Sequence, residues 1–224
     1  MSSGKKGSGR GLTKKEKEKI RNFVLVIILM MISFFAGMGV AVLRMSESAQ
    51  ETVETEKLGK PDIDVELLDI NDYSRPGIEL DEVNAIVIHY TANPGSSAMN
   101  NRDYFNNLQK THATKASSHF IVGLEGEIVQ CIPTSEIAYA SNDRNHDTIS
   151  IECCIEDDSG AFNEATYDSV IYLTAWLCDK FSLDSDDVIR HYDVSGKNCP
   201  KYYVEHEDKW EQFRADVADY LRKD

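Results

Sequence analysis

An unbroken apolar segment near the N-terminus, residues 23–43, limits most strongly what this chain can fold into. It reads FVLVIILMMISFFAGMGVAVL and contains no ionisable side chain in 21 positions. As a helix that rises 1.5 Å per residue it would span about 31 Å, enough to cross a hydrocarbon core of roughly 30 Å. The segment therefore predicts one transmembrane helix over residues 22–44.

The charges on either side of this segment predict its orientation. Residues 1–21 hold eight Lys or Arg and two Glu, a net +6, whereas the chain as a whole carries −14 and the remainder −20. By the positive-inside rule the basic tail is cytoplasmic and everything after Arg44 is external, as in a single-pass cell-membrane protein. A cleaved signal peptide is the alternative, because small residues at 36–41 offer a cleavage site, although its apolar region is usually only about 7–15 residues long.

The rest of the chain divides by composition into a linker and a domain. Residues 45–61 are polar and charged, which predicts a flexible stalk. Residues 62–224 are long enough for one hydrophobic core. Their acidic balance disfavours nucleic acid as a partner, since phosphate binding needs a basic surface. It also disfavours long-range attraction to any anionic polymer, so such a partner would have to be held by local contacts.

The five cysteines form an odd set without the spacing of a disulfide framework, so a disulfide-stapled scaffold is excluded. Cys131 and Cys153 both fall in predicted strands, and the sequence leaves open whether they pair.

Hydrophobic patterns in residues 62–224 predict alternating strands and helices. Residues 85–88 form a continuous apolar run, typical of a strand buried on both faces. Further strands are predicted at 118–122, 127–132, 148–154 and 188–189, with a hairpin turn at 123–126. Helices are predicted at 97–108, 167–181 and 205–222. This order predicts a single α/β domain with a mixed central β-sheet flanked by helices.

Two features of this domain carry the chemistry of a metal site. His89 ends the buried strand, and ligands of α/β sheets usually bind at strand carboxyl ends. His191 and Cys199 lie eight residues apart in a loop that contains Gly196 and Lys197. Each of these residues alone has an ordinary structural interpretation. Together, two His and one Cys leave a fourth tetrahedral position open, which is typical of catalytic zinc.

Four segments in this domain carry a resemblance to a known family. They are AIVIHYTA (85–92), SSHFIVGLEGEIVQCIP (117–133), DTISIE (147–152) and RHYDVSGKNCP (190–200). In this order they resemble the zinc-dependent N-acetylmuramoyl-L-alanine amidases of the phage-lysozyme type, whose fold animal peptidoglycan-recognition proteins share. The resemblance covers about residues 73–213. It implies a peptidoglycan substrate and hydrolysis of the amide bond between N-acetylmuramic acid and L-alanine.

The resemblance also implies roles for five residues. His89, His191 and Cys199 would bind Zn²⁺. Glu152 would act as general base or support the water that the metal activates, and Lys197 would stabilise the developing oxyanion. These roles agree with the general chemistry of zinc, carboxylates and fixed positive charges in hydrolases.

The sequence departs from the family pattern at two positions. Ser118 stands where some members have a catalytic tyrosine, so Glu152 is expected to carry that duty. Ala140 stands where many members have a histidine that faces the substrate, which bears on substrate recognition. His119 is interpreted as a hydrogen-bonded core residue.

Two other functions remain as alternatives to the amidase. A non-catalytic peptidoglycan-binding module of the same fold is disfavoured because Cys199 is retained. A zinc peptidase is disfavoured because there is no H-E-x-x-H segment.

Overall fold

The computed structural model describes residues 59–222, together with the single positions Lys14 and Leu25. The chain divides into two units, Met1–Thr55 and Glu56–Asp224, and the second contains the fold described below. Apart from Lys14 and Leu25, the described residues do not include the predicted cytoplasmic tail, the predicted transmembrane helix or most of the predicted stalk. Among the residues that are described, no helix combines the length and apolar character needed to cross a membrane.

A six-stranded sheet forms the centre of the domain, in the order β1-β4-β3-β5-β2-β6. Its neighbouring strands are parallel, except that β3 and β4 form an antiparallel hairpin. The strands are β1 Asp64–Val65, β2 Ala85–Tyr90, β3 Phe120–Val122, β4 Ile128–Gln130, β5 Thr148–Cys153 and β6 Val188–Arg190. The predicted mixed α/β domain is confirmed, with strands that are mostly shorter than the apolar patterns suggested.

Five α-helices and one short 3₁₀ helix, Asn142–Arg144, accompany the sheet in this region. They are α1 Ala98–Thr111, α2 Glu164–Phe181, α3 His191–Ser195, α4 Lys201–Glu205 and α5 Glu207–Arg222. Ser97 caps α1 by accepting a hydrogen bond from the backbone N–H of Asn100, and Asn163 caps α2 in the same way. The helix predicted at 205–222 is α5, and the short helix α4, which the sequence did not predict, precedes it. His206 separates the two with φ −131° and ψ 83°.

The core lies on both faces of the sheet. Phe120 and Val122 belong to one hydrophobic cluster with residues of α2 and α5, whereas Ile121 between them belongs to a second cluster with residues of α1. This alternation is that of a strand buried on both faces. Cys131 and Cys153 belong to different clusters, so the pairing that the sequence left open does not form, and all five cysteines are free and buried.

Strand β2 is the element that organises the site. It lies between β5 and β6 and runs parallel to both, so the carboxyl ends of three strands meet at one edge. In this register His89 stands opposite Glu152, and Ile88 stands opposite Arg190. His191 follows Arg190 directly, so the sheet brings His89, Glu152 and His191 to neighbouring positions.

Candidate metal centre and adjoining cleft

The three predicted metal ligands converge at this edge of the sheet. His89 comes from β2, His191 begins α3, and Cys199 lies in the loop between α3 and α4. All three side chains are buried, and their ligand atoms lie within 4.8 Å of one another. The Nδ1 atoms of the two histidines are 3.1 Å apart, and Sγ of Cys199 lies 3.8 Å from Nδ1 of His89.

These separations fit a tetrahedral metal ion. Zinc bonds of about 2.0–2.1 Å to nitrogen and about 2.3 Å to sulfur place two nitrogens about 3.3 Å apart and nitrogen and sulfur about 3.6 Å apart. The observed 3.1 Å and 3.8 Å lie close to both values. The arrangement could therefore hold a metal ion, and two of its three residues, His89 and His191, also line the cleft described below.

The protonation of these groups is also suited to a cation. Burial lowers the pKa of His191 to about 4 and the pKa of His89 well below its usual value, so both imidazoles are neutral and can offer a lone pair. Without a cation, burial raises the pKa of the Cys199 thiol to about 12. Metal binding supplies the positive charge that a buried thiolate needs.

A short segment before β5 orients the two histidine rings. Oδ1 of Asn142 lies 2.8 Å from Nε2 of His191, and since an amide oxygen only accepts, Nε2 carries the proton and Nδ1 the lone pair. Oγ of Ser141 lies 3.4 Å from Nε2 of His89. Asn145 holds this segment by accepting hydrogen bonds from the backbone N–H groups of Ala140 and Ser141, at 3.0 and 2.6 Å.

Sequence reasoning missed Asn142 and Ser141 as residues of the site. The run S-N-D-R-N at 141–145 is rich in turn-forming residues and therefore indicates a loop. Nothing in its composition indicates which side chain contacts the histidines. Asn142 adopts φ 52°, in the left-handed region that asparagine tolerates better than most residues. Such a conformation beside a ligand is a mark of functional backbone geometry, visible only in the structure.

A cleft of about 420 Å³ opens beside the three ligands, and Glu152 and Lys197 line it together with His89 and His191. Oε2 of Glu152 is enclosed and has no hydrogen-bond partner among the described residues. Burial raises the pKa of this carboxyl to about 8, while the charge of Lys197 acts in the opposite direction. Lys197 itself is exposed in the cleft. The site thus places a carboxyl with a raised pKa and an exposed lysine beside the three candidate metal ligands.

The positions where the sequence departs from the family pattern have different surroundings. Ser118 is buried, with Oγ 2.9 Å from the carbonyl oxygens of Phe120 and Ser150, and it does not line the cleft. Ala140 does line the cleft, where its methyl group forms no hydrogen bond. His119 is buried and accepts a hydrogen bond from the backbone N–H of Ser150 at 3.0 Å, in agreement with a core role.

Arg190 anchors the start of α3, directly before His191. Its side chain is buried and donates to both carboxylate oxygens of Asp193, to Glu207 and to the carbonyl of Tyr203. The guanidinium also lies 5.2 Å from the ring centre of Trp210. These contacts tie β6, α3, α4 and α5 together around one buried cation.

The mixed sheet and the buried His–His–Cys cluster at its edge define an α/β domain of the metal-hydrolase type that the sequence resemblance implied. The comparisons with known proteins agree with this assignment. The chain belongs to the N-acetylmuramoyl-L-alanine amidase family, whose family model matches residues 79–202. The resemblance stated from the four sequence segments is therefore confirmed.

Curated relatives and solved structures support the same family. The chain is 38% identical over 165 residues to the N-acetylmuramoyl-L-alanine amidase CwlL of Bacillus licheniformis, covering 68% of this chain and 45% of that protein. It is 37% identical over 169 residues to BlyA of Bacillus subtilis, covering 66% and 44%. The chain spans less than half the length of these relatives. The catalytic domain of XlyA is similar at 28% identity and a TM-score of 0.60, covering 70% of this chain and 99% of that one.

Proposed function

We propose that residues 62–224 hydrolyse the amide bond between N-acetylmuramic acid and L-alanine in peptidoglycan, with a zinc ion held by His89, His191 and Cys199. The observation that carries the proposal is the approach of these three ligand atoms to within 4.8 Å, beside a cleft lined by Glu152 and Lys197. The proposed substrate is that of the amidase relatives. The proposed metal follows from the donor set, because two imidazoles and one thiol favour zinc over hard cations that prefer oxygen ligands.

The ligands are prepared for this ion by the protein around them. When bound, zinc supplies a Lewis acid that acidifies a water molecule and polarises an amide carbonyl. Asn142 keeps the proton of His191 on Nε2 and so directs the lone pair of Nδ1 to the site. Cys199 binds as thiolate, and its negative charge partly offsets that of the cation.

Glu152 manages the proton in the proposed reaction. Its carboxyl lies in β5 opposite His89 and has a pKa raised to about 8, so near neutral pH both of its protonation states are accessible. As carboxylate it takes a proton from the attacking water, and as carboxylic acid it gives that proton to the departing amine of L-alanine. Lys197 presents an ammonium group to the cleft, where it stabilises the negative charge that develops on the carbonyl oxygen.

A digest of purified muropeptides tests this function directly. The full chain is solubilised in detergent and incubated with muropeptides, either in the presence or in the absence of a chelator. Mass spectrometry then identifies the products by their masses. We expect release of free peptide that begins with L-alanine, loss of this activity with chelator and its recovery with zinc. A folded, zinc-loaded protein without turnover would instead favour the non-catalytic binding module.

A pair of cysteine variants tests the metal assignment. Cys199→Ala is expected to lose both zinc binding and hydrolysis, because it removes one of three ligands. Cys178→Ala changes a buried cysteine in the core and is expected to keep both. Normal cleavage by Cys199→Ala would show that the metal assignment is wrong.

We also propose that residues 22–44 anchor the enzyme in the cell membrane with the domain outside, where tethering raises its concentration at the inner face of the wall. The support is the apolar segment and its basic flank. Protease treatment of intact cells without their wall should degrade the domain and spare the N-terminal tail. A mature N-terminus within residues 36–42 would contradict the anchor and indicate a cleaved signal peptide.

A further inference from the structure

The cleft differs in charge from the domain that surrounds it. Residues 59–222 contain thirteen Lys or Arg against thirty-one Asp or Glu. Among the described residues that line the cleft, Glu152 is the one acidic side chain, whereas Lys115 and Lys197 are both basic. Basic side chains therefore outnumber acidic ones in the lining of the cleft, although acidic residues dominate the domain around it. Such a cleft favours an anionic group on the substrate.

Lys197 has a place in the proposed reaction, and Lys115 does not. Lys115 is exposed, and its ammonium nitrogen lies 5.2 Å from the ring centre of Tyr139, which also lines the cleft. The two segments that carry these residues are joined by hydrogen bonds. The backbone N–H of Ser117 donates to the carbonyl of Tyr139 at 3.1 Å, and the N–H of Tyr139 donates to Oγ of Ser117 at 2.9 Å. The aromatic ring thus supports the lysine at a defined place in the cleft.

The charge of Lys115 has no carboxylate partner among the described residues, and this sets it apart from the arginines of the domain. Each of the six arginines forms an ion pair with an acidic side chain: Arg75, Arg102, Arg144, Arg190, Arg214 and Arg222. In a protein with this excess of acidic residues, a lysine in the cleft without such a pair is available to a ligand.

The chemistry of the proposed substrate determines which part of it carries a matching charge. The lactyl carboxyl of muramic acid is consumed in the scissile amide, and the N-acetylated sugars are uncharged. The remaining carboxylates belong to the peptide beyond L-alanine. Building on the proposed function, we infer that Lys115 determines specificity by binding a carboxylate of this peptide. The peptide arm then lies along the Lys115–Tyr139 side of the cleft, and the sugar lies away from it.

Two synthetic substrates test this inference with the full, zinc-loaded chain. Both are muramoyl dipeptides whose terminal γ-carboxyl is capped as an amide. One has a free α-carboxylate on its D-isoglutamate residue, and the other has this α-carboxylate converted to an amide as well. We expect the wild type to favour the acid. Lys115→Met should raise KM for the acid about threefold to tenfold, as for a partly exposed ion pair, and leave kcat and the amide substrate nearly unchanged. Lys115→Arg should retain the preference.

Lys110→Met is the matched control, since Lys110 is on α1 and does not line the cleft. A longer substrate with its third residue amidated locates the carboxylate. If this change, and not amidation of isoglutamate, removes the dependence on Lys115, the bound carboxylate belongs to the third residue. Equal kcat/KM for every acid and amide pair, or an equal loss on all substrates in Lys115→Met, would overturn the inference. A wild type that cleaves none of them would overturn the proposed function itself.

Discussion

Asn142 and His191 are joined by a hydrogen bond of 2.8 Å between Oδ1 and Nε2, whereas the other ring nitrogen of His191, Nδ1, lies 3.1 Å from Nδ1 of His89. Asn142→Gly removes the acceptor and is compatible with the positive φ at this position. We expect zinc affinity to fall about 10- to 100-fold, as for other outer partners of ligating histidines. Chelator competition measures this directly.

Asn142→Asp is the conservative partner of that variant, because a carboxylate oxygen also accepts the hydrogen bond. It should bind zinc within a few-fold of the wild type, and its cobalt-substituted form should keep the wild-type absorption spectrum. Unchanged zinc affinity in Asn142→Gly would show that the hydrogen bond does not orient the ring.

Lys197→Met should lower kcat about 10²- to 10³-fold, which is the usual effect of removing a single oxyanion donor. Zinc content and melting temperature should stay unchanged, because the side chain is exposed. Lys201→Met is the control, since Lys201 donates to the carbonyl of Asp158 and does not line the cleft. Equal kcat in the two variants would remove Lys197 from the mechanism.

Arg190→Met should destabilise the domain by about 1–3 kcal/mol, because it removes the donor of several hydrogen bonds and leaves the buried carbonyl of Tyr203 without this partner. Urea unfolding of the metal-free protein measures the free energy. Arg214→Met breaks a pair with the exposed Asp186 and should cost about 1 kcal/mol or less. A similar small loss for both variants would mean that Arg190 does not anchor α3.

The pH dependence of stability should reveal the buried carboxyl of Glu152. In the metal-free protein its pKa is about 8, against 4.5 for an ordinary glutamate. Between these values the folded chain keeps a proton that the unfolded chain releases, so this group lowers the free energy of unfolding as pH rises. Glu152→Gln removes the effect. The free energy of unfolding of the variant relative to the wild type should therefore increase from about pH 4.5 to about pH 8, and a constant difference would contradict the raised pKa.

The sequence predicted those parts of the structure that depend on local pattern. The apolar run before His89 indicated a buried strand, and β2 is that strand. The periodic residues at 167–181 indicated a helix, and α2 contains them. Features that depend on packing between distant segments could not be predicted from the sequence. The contact of Asn142 with His191 joins segments 49 positions apart and leaves no periodic trace in the sequence.

The same limit applies to the site. Family resemblance indicated the five residues of the proposed mechanism, whereas the excess of basic side chains in the lining of the cleft required the fold. Lys115 and Tyr139 are 24 positions apart, and hydrogen bonds such as those of Ser117 bring their segments together in the fold. Surface lysines are common in any sequence, so Lys115 has no distinguishing mark before its neighbours are known.

The pairing of His89 with Glu152 across two parallel strands has a consequence for how this site can vary. Adjacent strands lie about 4.8 Å apart, and backbone hydrogen bonds hold that spacing. Glu152→Asp would draw the carboxyl back by one methylene, and β5 could not move forward to compensate, since Ile149 and Ile151 beside it are fully buried. A loop could bend to restore the reach. In this protein the sheet fixes the distance between the backbones at positions 89 and 152, and a substitution at either position leaves that distance unchanged.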